Sequence, residues 1–306
     1  MLRLSEIKLP LDHTDAELNE AILKALNVNA EDLLSVKLFK RSYDARKKSQ
    51  ILLIYQLDVE LTACAEQSVL AISPSLPRIG PSPDTRYKFA AQAALNFPSG
   101  SQQQPIIIGF GPCGILAALV LAQMGLKPIV VERGQEVRQR TQDTWGFWRK
   151  RKLNAESNVQ FGEGGAGTFS DGKLWSQVKD RRHLGRKVLN EFVIAGAPEE
   201  ILTESRPHIG TFKLVTMVEN MRAEIIRLGG EIRFDQKVES ILREEAPEDV
   251  PDGKGQITGI TLTSGETLHS RHIVLAIGHS ARDSFQMLMD HGVCIVAKPF
   301  SIGFRI

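Results

Sequence analysis

The stretch from Pro105 to Gly134, PIIIGFGPCGILAALVLAQMGLKPIVVERG, constrains this chain more than any other. Ile106 to Ile108 form a short apolar run suited to a buried parallel strand. Gly109, Gly111 and Gly114 follow with G-x-G-x-x-G spacing, and Phe110, Pro112 and Cys113 fill the positions between them. The first glycine permits a tight turn, the second lets backbone approach a pyrophosphate, and the third lets a helix pack close to the strand. The apolar segment Ile115 to Met124 predicts that helix, ended by Gly125. Its N-terminus presents free N–H groups and the positive end of a dipole to phosphates. A second run, Ile129 to Val131, delivers Glu132, whose carboxylate is placed to accept hydrogen bonds from ribose hydroxyls. Strand, glycines, helix, strand and acid together predict a dinucleotide-binding unit.

The rest of the composition excludes several alternatives. The 306 residues are 42% hydrophobic and 24% charged, enough apolar content for a sizeable core and about two domains. The longest apolar run, Ile115 to Met124, is too short to cross a bilayer. The N-terminus lacks the apolar core of a signal peptide. Cys64, Cys113 and Cys294 are far apart and show neither a disulfide framework nor metal-ligand spacing. A cytoplasmic protein without a metal or a membrane partner is expected. Between Arg133 and Lys187, 13 Lys/Arg face 6 Asp/Glu. Such clustering reads first as a solvated surface. Nucleic acid is not an expected partner, since the only other basic feature is the segment Arg41 to Lys48.

Residues 1–72 predict a small α/β module. Thr14 and Glu17 form a capping-box pattern that opens a helix closed by Asn27. Strands are expected at Ser35–Phe39 and Ile51–Leu61, joined by an exposed RSYDARKK loop. The order β-α-β-β suggests a ferredoxin-like arrangement. Residues 73–104 are rich in Pro, Ser and Gln and read as a linker with a short helix over Tyr87–Leu95. Residues 105–306 form the dinucleotide-binding domain. It has a helix over Thr211–Leu228, a strand over Glu231–Phe234, a meander of strands at Lys237–Leu242, Gln256–Thr263 and Glu266–Leu268, and a returning strand over His272–Ile277. Trp145, Trp148 and Trp175 are expected to serve packing.

That order, with the segments GFGPCG, VVERG, SNVQFGEGGAGTFSDGKL, RPHIGT, LAIGHSARD and KPFSIGFRI, resembles the two-dinucleotide-binding-fold flavoproteins. More closely it resembles a group of bacterial FAD-dependent dehydrogenases. The resemblance spans the chain and implies an FAD/NAD(P)-binding Rossmann-like domain with a β-meander. It also implies FAD as cofactor, NAD(P)H as a possible electron donor, and oxidoreductase activity on a small molecule that the sequence does not identify. By the same resemblance, Glu132 would hold the adenosine ribose, with Arg133 and Gly134 near the adenine. Gly164, Gly165, Ala166 and Gly167 would pass close to the flavin or the pyrophosphate. Val238 would meet the adenine edge, and Ala276, Ile277 and Gly278 would lie against the dinucleotide.

Flavins supply their own redox chemistry, so no nucleophilic triad is expected. His279 and His208 are candidate proton donors. Lys173 is a candidate for stabilising negative charge on a reduced ring. Arg282 is a candidate for anion binding or for pairing with Asp283. A late segment that holds the ribityl chain in these flavoproteins is not found after Gly278. The chain stops inside the apolar, strand-like run KPFSIGFRI, which would leave pairing groups unmet, so it is expected to be the N-terminal part of a longer enzyme. The alternative is a catalytically silent dinucleotide-binding or interaction protein. An NAD-only dehydrogenase is a third reading, in which Glu132 would repel a 2′-phosphate.

Overall fold

The computed structural model describes residues 1–47, 49–72, 78–99, 103–176, 178–244 and 255–299. The chain divides into two compact units. One comprises Met1–Lys88 with Asp171–Leu214, and the other Phe89–Ser170 with Val215–Ile306.

The first unit is built on four strands, β1 (Leu2–Pro10), β2 (Leu33–Asp44), β3 (Leu52–Leu61) and β4 (Ile79–Pro81). They pair antiparallel in the order β2-β3-β1-β4. Helix α1 (Asp15–Leu26) links β1 to β2, and α2 (Ala63–Ile72) links β3 to β4. This is the ferredoxin-like β-α-β-β-α-β arrangement, completed by a second half that the sequence pattern did not reveal. The capping box at Thr14 forms: the Thr14 N–H donates to Glu17 Oε2 at 2.7 Å, and the Glu17 N–H donates to Thr14 Oγ1 at 3.3 Å. Asn27 closes α1 in the left-handed region at φ 54°. Leu2, Leu4, Ile22, Leu26, Leu57 and Val59 form the core between sheet and helices.

Strand β2 continues through Arg41–Asp44, so half of the expected RSYDARKK loop is ladder. Lys48 lies outside the described residues. As the edge strand, β2 leaves backbone groups open on one side. Part of that edge is covered by residues 203–204. The Arg41 N–H donates to the Thr203 carbonyl at 2.7 Å, and its guanidinium pairs with Glu204. Nearby, two guanidiniums lie over the Phe39 ring, Arg3 at 3.4 Å and Arg186 at 4.4 Å from its centroid. Arg186 belongs to α5 (Leu184–Ile194) and also donates to the Leu202 and Phe39 carbonyls. These contacts place residues 171–214 with the N-terminal module rather than inside the 105–306 segment expected from the sequence. Ile79–Pro81, assigned to the linker, is the fourth strand.

The second unit contains a parallel sheet of β5 (Ile106–Ile108), β6 (Ile129–Val131), β7 (Glu231–Arg233) and β11 (Ile273–Leu275), in the order β11-β5-β6-β7. Ile106, Ile108 and Val131 face the antiparallel meander β8 (Val238–Glu244), β9 (Gln256–Leu262) and β10 (Thr267–His269). They pack there with Val238, Ile241, Ile260 and Leu262. Ile107, between the two, points to the opposite face, where α3 (Pro112–Gln123) packs. The remaining helices are α4 (Val137–Lys150), α6 (Thr211–Arg227) and α7 (Arg282–Asp290).

Tyr87–Leu95 is not helical. Part of its backbone is used elsewhere: the Ala93 N–H donates to the Met124 carbonyl at 2.8 Å. The tryptophans are not packed away either, since Trp145, Trp148 and Trp175 are 44%, 53% and 61% exposed. Trp145 and Trp148 meet edge to face, and Arg149 covers the Trp145 ring at 4.2 Å. Residues 300–306, with most of the KPFSIGFRI run, lie outside the described residues. No helix of the described residues is long and apolar enough to cross a membrane.

A candidate dinucleotide cleft

Parallel strands all end at one edge of the sheet, and a crevice opens where the chain leaves neighbouring strands in opposite directions. Here β5 leads to β6 on one side, while β11 returns on the other. A cavity of about 540 Å³ lies at this edge and is lined entirely by the second unit. Its floor is the loop after β5. Gly109 adopts φ 97°, and a Cβ there would lie 2.5 Å from the Ala276 carbonyl oxygen. A Cβ on Gly114 would run into the Gly109 carbonyl oxygen, so the start of α3 can press against the strand only as glycine.

The N-cap of α3 is Gly111, which has no side chain to cap the first turn, and Pro112 has no N–H to satisfy. The next backbone donors, beginning at Cys113, therefore stand at the positive end of the helix dipole. Facing them is the glycine-rich turn. A Cβ on Gly165 would lie 3.2 Å from Gly111 Cα and 3.1 Å from Pro112 Cδ. Gly165 leads into a short 3₁₀ turn, Ala166–Phe169, again without a capping side chain. Two uncapped chain starts thus meet at backbone distance around one cavity, a donor set suited to an anion.

Glu132, at the end of β6, is 5% exposed. Its Oε2 accepts from the Phe110 N–H at 2.7 Å, and its Oε1 accepts from the Gly134 and Gly162 N–H groups, each at 2.9 Å. The carboxylate therefore ties together the loop after β5, the loop after β6 and the glycine-rich turn. A carboxylate has about four acceptor sites, so three bonds leave capacity for one hydroxyl. The sequence assigned Glu132 to ribose alone, and the structure adds this larger structural share.

Gly109, Gly111, Pro112, Cys113, Glu132, Arg133, Gly165, Ala166 and Gly167 line the cavity, as do Val238, Ala276, Ile277, Gly278 and His279. Four expected cofactor residues do not. Phe110 is fully buried and meets Phe234 edge to face at 6.1 Å. Gly114 and Gly134 serve close backbone packing. Gly164, at φ 81°, is fixed by Thr168, whose Oγ1 a Cβ would strike. Of the candidates for chemistry, His279 lines the cavity. Lys173 and His208 form an isolated antiparallel bridge in the first unit, and the Lys173 ammonium pairs with Asp171 at 3.0 Å. Lys173 follows the glycine-rich turn in sequence but belongs to the first unit. Arg282 is exposed, and Asp283 pairs with other cations.

One rim of the cleft carries four interlocked charges. Arg133 donates to Glu156 at 2.6 Å and to both Asp283 oxygens at 3.0 and 2.8 Å, while lying over the Phe161 ring at 4.2 Å. Lys237 pairs with Asp283 at 2.8 Å and Glu156 at 3.3 Å. Burial opposes the Arg133 charge, but its bonds to Asp283 and Glu156 outweigh that and hold it above its ordinary range. The paired cations hold the Asp283 carboxyl well below the usual range, against a smaller opposing effect of burial.

Behind the turn lies a feature that the sequence did not signal. Arg140 is fully buried and donates to three turn carbonyls, Asn158 at 2.8 Å, Val159 at 2.8 Å and Glu163 at 2.5 Å. Burial pulls its guanidinium down to about 10, despite the attraction of Glu132 and Glu163. In the sequence it is one cation within a basic stretch that reads as solvated. Only the fold turns it inward.

A family described as Domain of unknown function (DUF8436) matches residues 1–60. An uncharacterized protein of Clostridium beijerinckii (strain ATCC 51743 / NCIMB 8052) is 42% identical over 309 residues, which takes in all of this chain and 54% of that protein. The chain thus spans about half the length of this curated relative. Among solved structures, THI4 of Thermovibrio ammonificans overlaps 63% of this chain and 64% of its own, at 16% identity and a TM-score of 0.42. A 3-ketosteroid-delta4-(5alpha)-dehydrogenase of Rhodococcus jostii RHA1, in complex with 4-androstene-3,17-dione, overlaps 66% and 51%, at 14% identity and a TM-score of 0.37. Glycine oxidase of Bacillus cereus ATCC 14579 overlaps 63% and 59%, at 13% identity and a TM-score of 0.31. These likenesses are partial, and the Rossmann-like α/β fold stands on the chain's own strand order and crossovers.

Proposed function

We propose that the cleft binds FAD and that the chain is the dinucleotide-holding part of an FAD-dependent oxidoreductase acting on a small molecule. The observation that carries this reading is the meeting of Gly111 and Gly165 at backbone distance beside Glu132. That cradle fits a pyrophosphate, since a Cβ on either glycine would narrow the space between two sets of uncapped N–H donors. The sequence resemblance to FAD-dependent dehydrogenases supports the flavin form of the dinucleotide over nicotinamide. When bound, the flavin supplies the two-electron chemistry.

The protein's part is to bind and orient. The N–H groups at the start of α3 and in the Gly165–Gly167 turn hold the diphosphate charge. Glu132 offers its remaining acceptor capacity to a ribose hydroxyl, which also disfavours a 2′-phosphate at that position. The Val238 backbone meets the adenine edge, and Ala276–Gly278 form the wall against which the dinucleotide lies. His279, which lines the cleft, would hold or pass a proton. NAD(P)H is proposed only as the partner that reduces the bound flavin.

Titration of the purified chain with FAD, NAD and NADP, followed by flavin fluorescence and by calorimetry, tests this. Saturable one-to-one FAD binding that is lost in Glu132→Ala is expected, with no comparable NADP binding. Saturable binding of NAD with none of FAD would overturn the reading. Flavin that binds but is bleached by dithionite alone, and by no biological donor, would favour the catalytically silent alternative.

A further inference from the structure

Glu163 sits within the glycine-rich wall of the cleft, between Gly162 and Gly164, and has no solvent exposure. Its Oε2 accepts from the Val137 N–H at 2.7 Å and lies 3.3 Å from the Arg222 guanidinium on α6. That guanidinium is shared, because it also holds Glu136 at 2.7 Å. Glu163 Oε1 has no hydrogen-bond partner among the described residues. The other charges around it do not complete the pairing. Glu136 at the start of α4 and Glu219 on α6 both repel a carboxylate here. Arg140 attracts it, but directs its bonds to turn carbonyls and is itself drawn toward Glu132. The backbone of Glu163 is pinned on both sides: its N–H donates to the Gln135 carbonyl at 3.1 Å and its carbonyl accepts from Arg140.

A buried carboxylate with one oxygen unmatched is relieved in two ways: by taking up a proton, or by moving its segment into water. We propose that Glu163 is a positioning residue for the cleft, whose proton occupancy sets how firmly the Gly162–Gly167 wall is held against α4. The inference rests on reading this cleft as the dinucleotide site, because the same wall supplies the N–H groups for the diphosphate. With Glu163 protonated, the wall stays shut. With Glu163 ionised, local opening exposes the carboxylate and is favoured. Burial pushes this carboxyl up to about 6, against the Val137 N–H and Arg222, so the change falls near neutral pH. If the opened segment returns Glu163 to its ordinary value of 4.5, the opening equilibrium rises about fourfold between pH 5.5 and 7.5.

Hydrogen–deuterium exchange of the full chain tests this, reading the peptide over residues 160–169 and correcting for the intrinsic pH dependence of exchange. In the wild type, opening of this peptide should rise about fourfold from pH 5.5 to 7.5 relative to peptides of β8 and β9. Glu163→Gln keeps an acceptor for the Val137 N–H and cannot ionise, so its opening should not change between pH 5.5 and 7.5 and should lie about eightfold below the wild type at pH 5.5 and about thirtyfold below it at pH 7.5. A variant that keeps the wild-type pH profile would overturn the proposal. So would a wild-type ratio that does not change with pH, a result that does not depend on the variant folding. Repeating the exchange with FAD separates the two readings. Protection of residues 160–169 by FAD supports the site. FAD that neither binds nor protects removes the dinucleotide reading, while the pH profile still decides the role of Glu163.

Discussion

A methyl group at Gly114 would run into the carbonyl oxygen of Gly109, and one at Gly109 would stand 2.5 Å from the carbonyl of Ala276. Neither obstacle is a flexible side chain, so the backbone itself would have to move. Gly109 also sits at φ 97°, a region that costs an L-residue about 1–2 kcal/mol. Gly109→Ala and Gly114→Ala should therefore each destabilise the second unit by about 2–4 kcal/mol and abolish dinucleotide binding, as read by urea denaturation and ligand titration. Gly167 is the contrasting control: nothing lies within 4 Å of its missing Cβ, and its φ is not left-handed. Gly167→Ala should leave stability within about 0.5 kcal/mol of wild type. Glu132 belongs to the same scale. Glu132→Ala leaves three backbone donors without their acceptor and should cost about 2–4 kcal/mol even without ligand. The glycine roles were legible because their spacing is itself the constraint. The three hydrogen bonds accepted by Glu132 were not, because Gly162 lies far along the chain and only the fold brings its N–H to the carboxylate.

Elements whose pattern is local were read closely, and those defined by distant partners were not. The run Ile106–Ile108, the helix that follows it and the capping box at Thr14 carry their own signals. So do the meander strands, whose observed bounds differ from the expected ones by a residue or two. By contrast β4, at Ile79–Pro81, is a strand only because Leu2–Leu4 of β1 offers it a ladder. The segment 171–214 follows a glycine-rich loop and looks continuous with the nucleotide domain, yet Arg186 stacks on Phe39 and residues 203–204 cover the edge of β2. Arg186→Met keeps much of the aliphatic bulk of α5 and removes the bonds to the Leu202 and Phe39 carbonyls together with the stack. It should cost the first unit about 1–3 kcal/mol. It should also make residues 195–206 cut faster in limited proteolysis while the rate over β1 and β3 stays unchanged. Equal loss of protection in β1 and β3 would mean that 171–214 is integral to the module's folding rather than docked on its edge.

At the scale of the whole molecule, the buried carboxyl of Glu163 gives stability an unusual dependence on pH. Most perturbed carboxyls here are held low by partners. Asp58 is lowered by Arg3 and Ser82 although burial opposes this, and Asp283 by Arg133 and Lys237. Groups of that kind contribute stability above their unfolded pKa and lose it as acid protonates the folded state. Glu163 has the opposite sign. Burial raises its folded value from 4.5 to about 6, so between these values the folded state holds more proton than the unfolded one. Stability from this group therefore falls as pH rises through the window, and above about pH 6 its full cost is present, on the order of 2 kcal/mol. Below about pH 4.5 both states are protonated and the cost vanishes. Glu163→Gln removes this contribution and leaves the low carboxyls in place, so their acid loss cancels in the difference between variant and wild type. That difference should be near its minimum at pH 4.5 and should grow by about 2 kcal/mol in favour of the variant by pH 7.5. Chemical denaturation of both proteins across this range measures it. A difference that is flat with pH would show that Arg222 and the Val137 N–H fully compensate the buried charge, and the unpaired Oε1 would then carry no free energy.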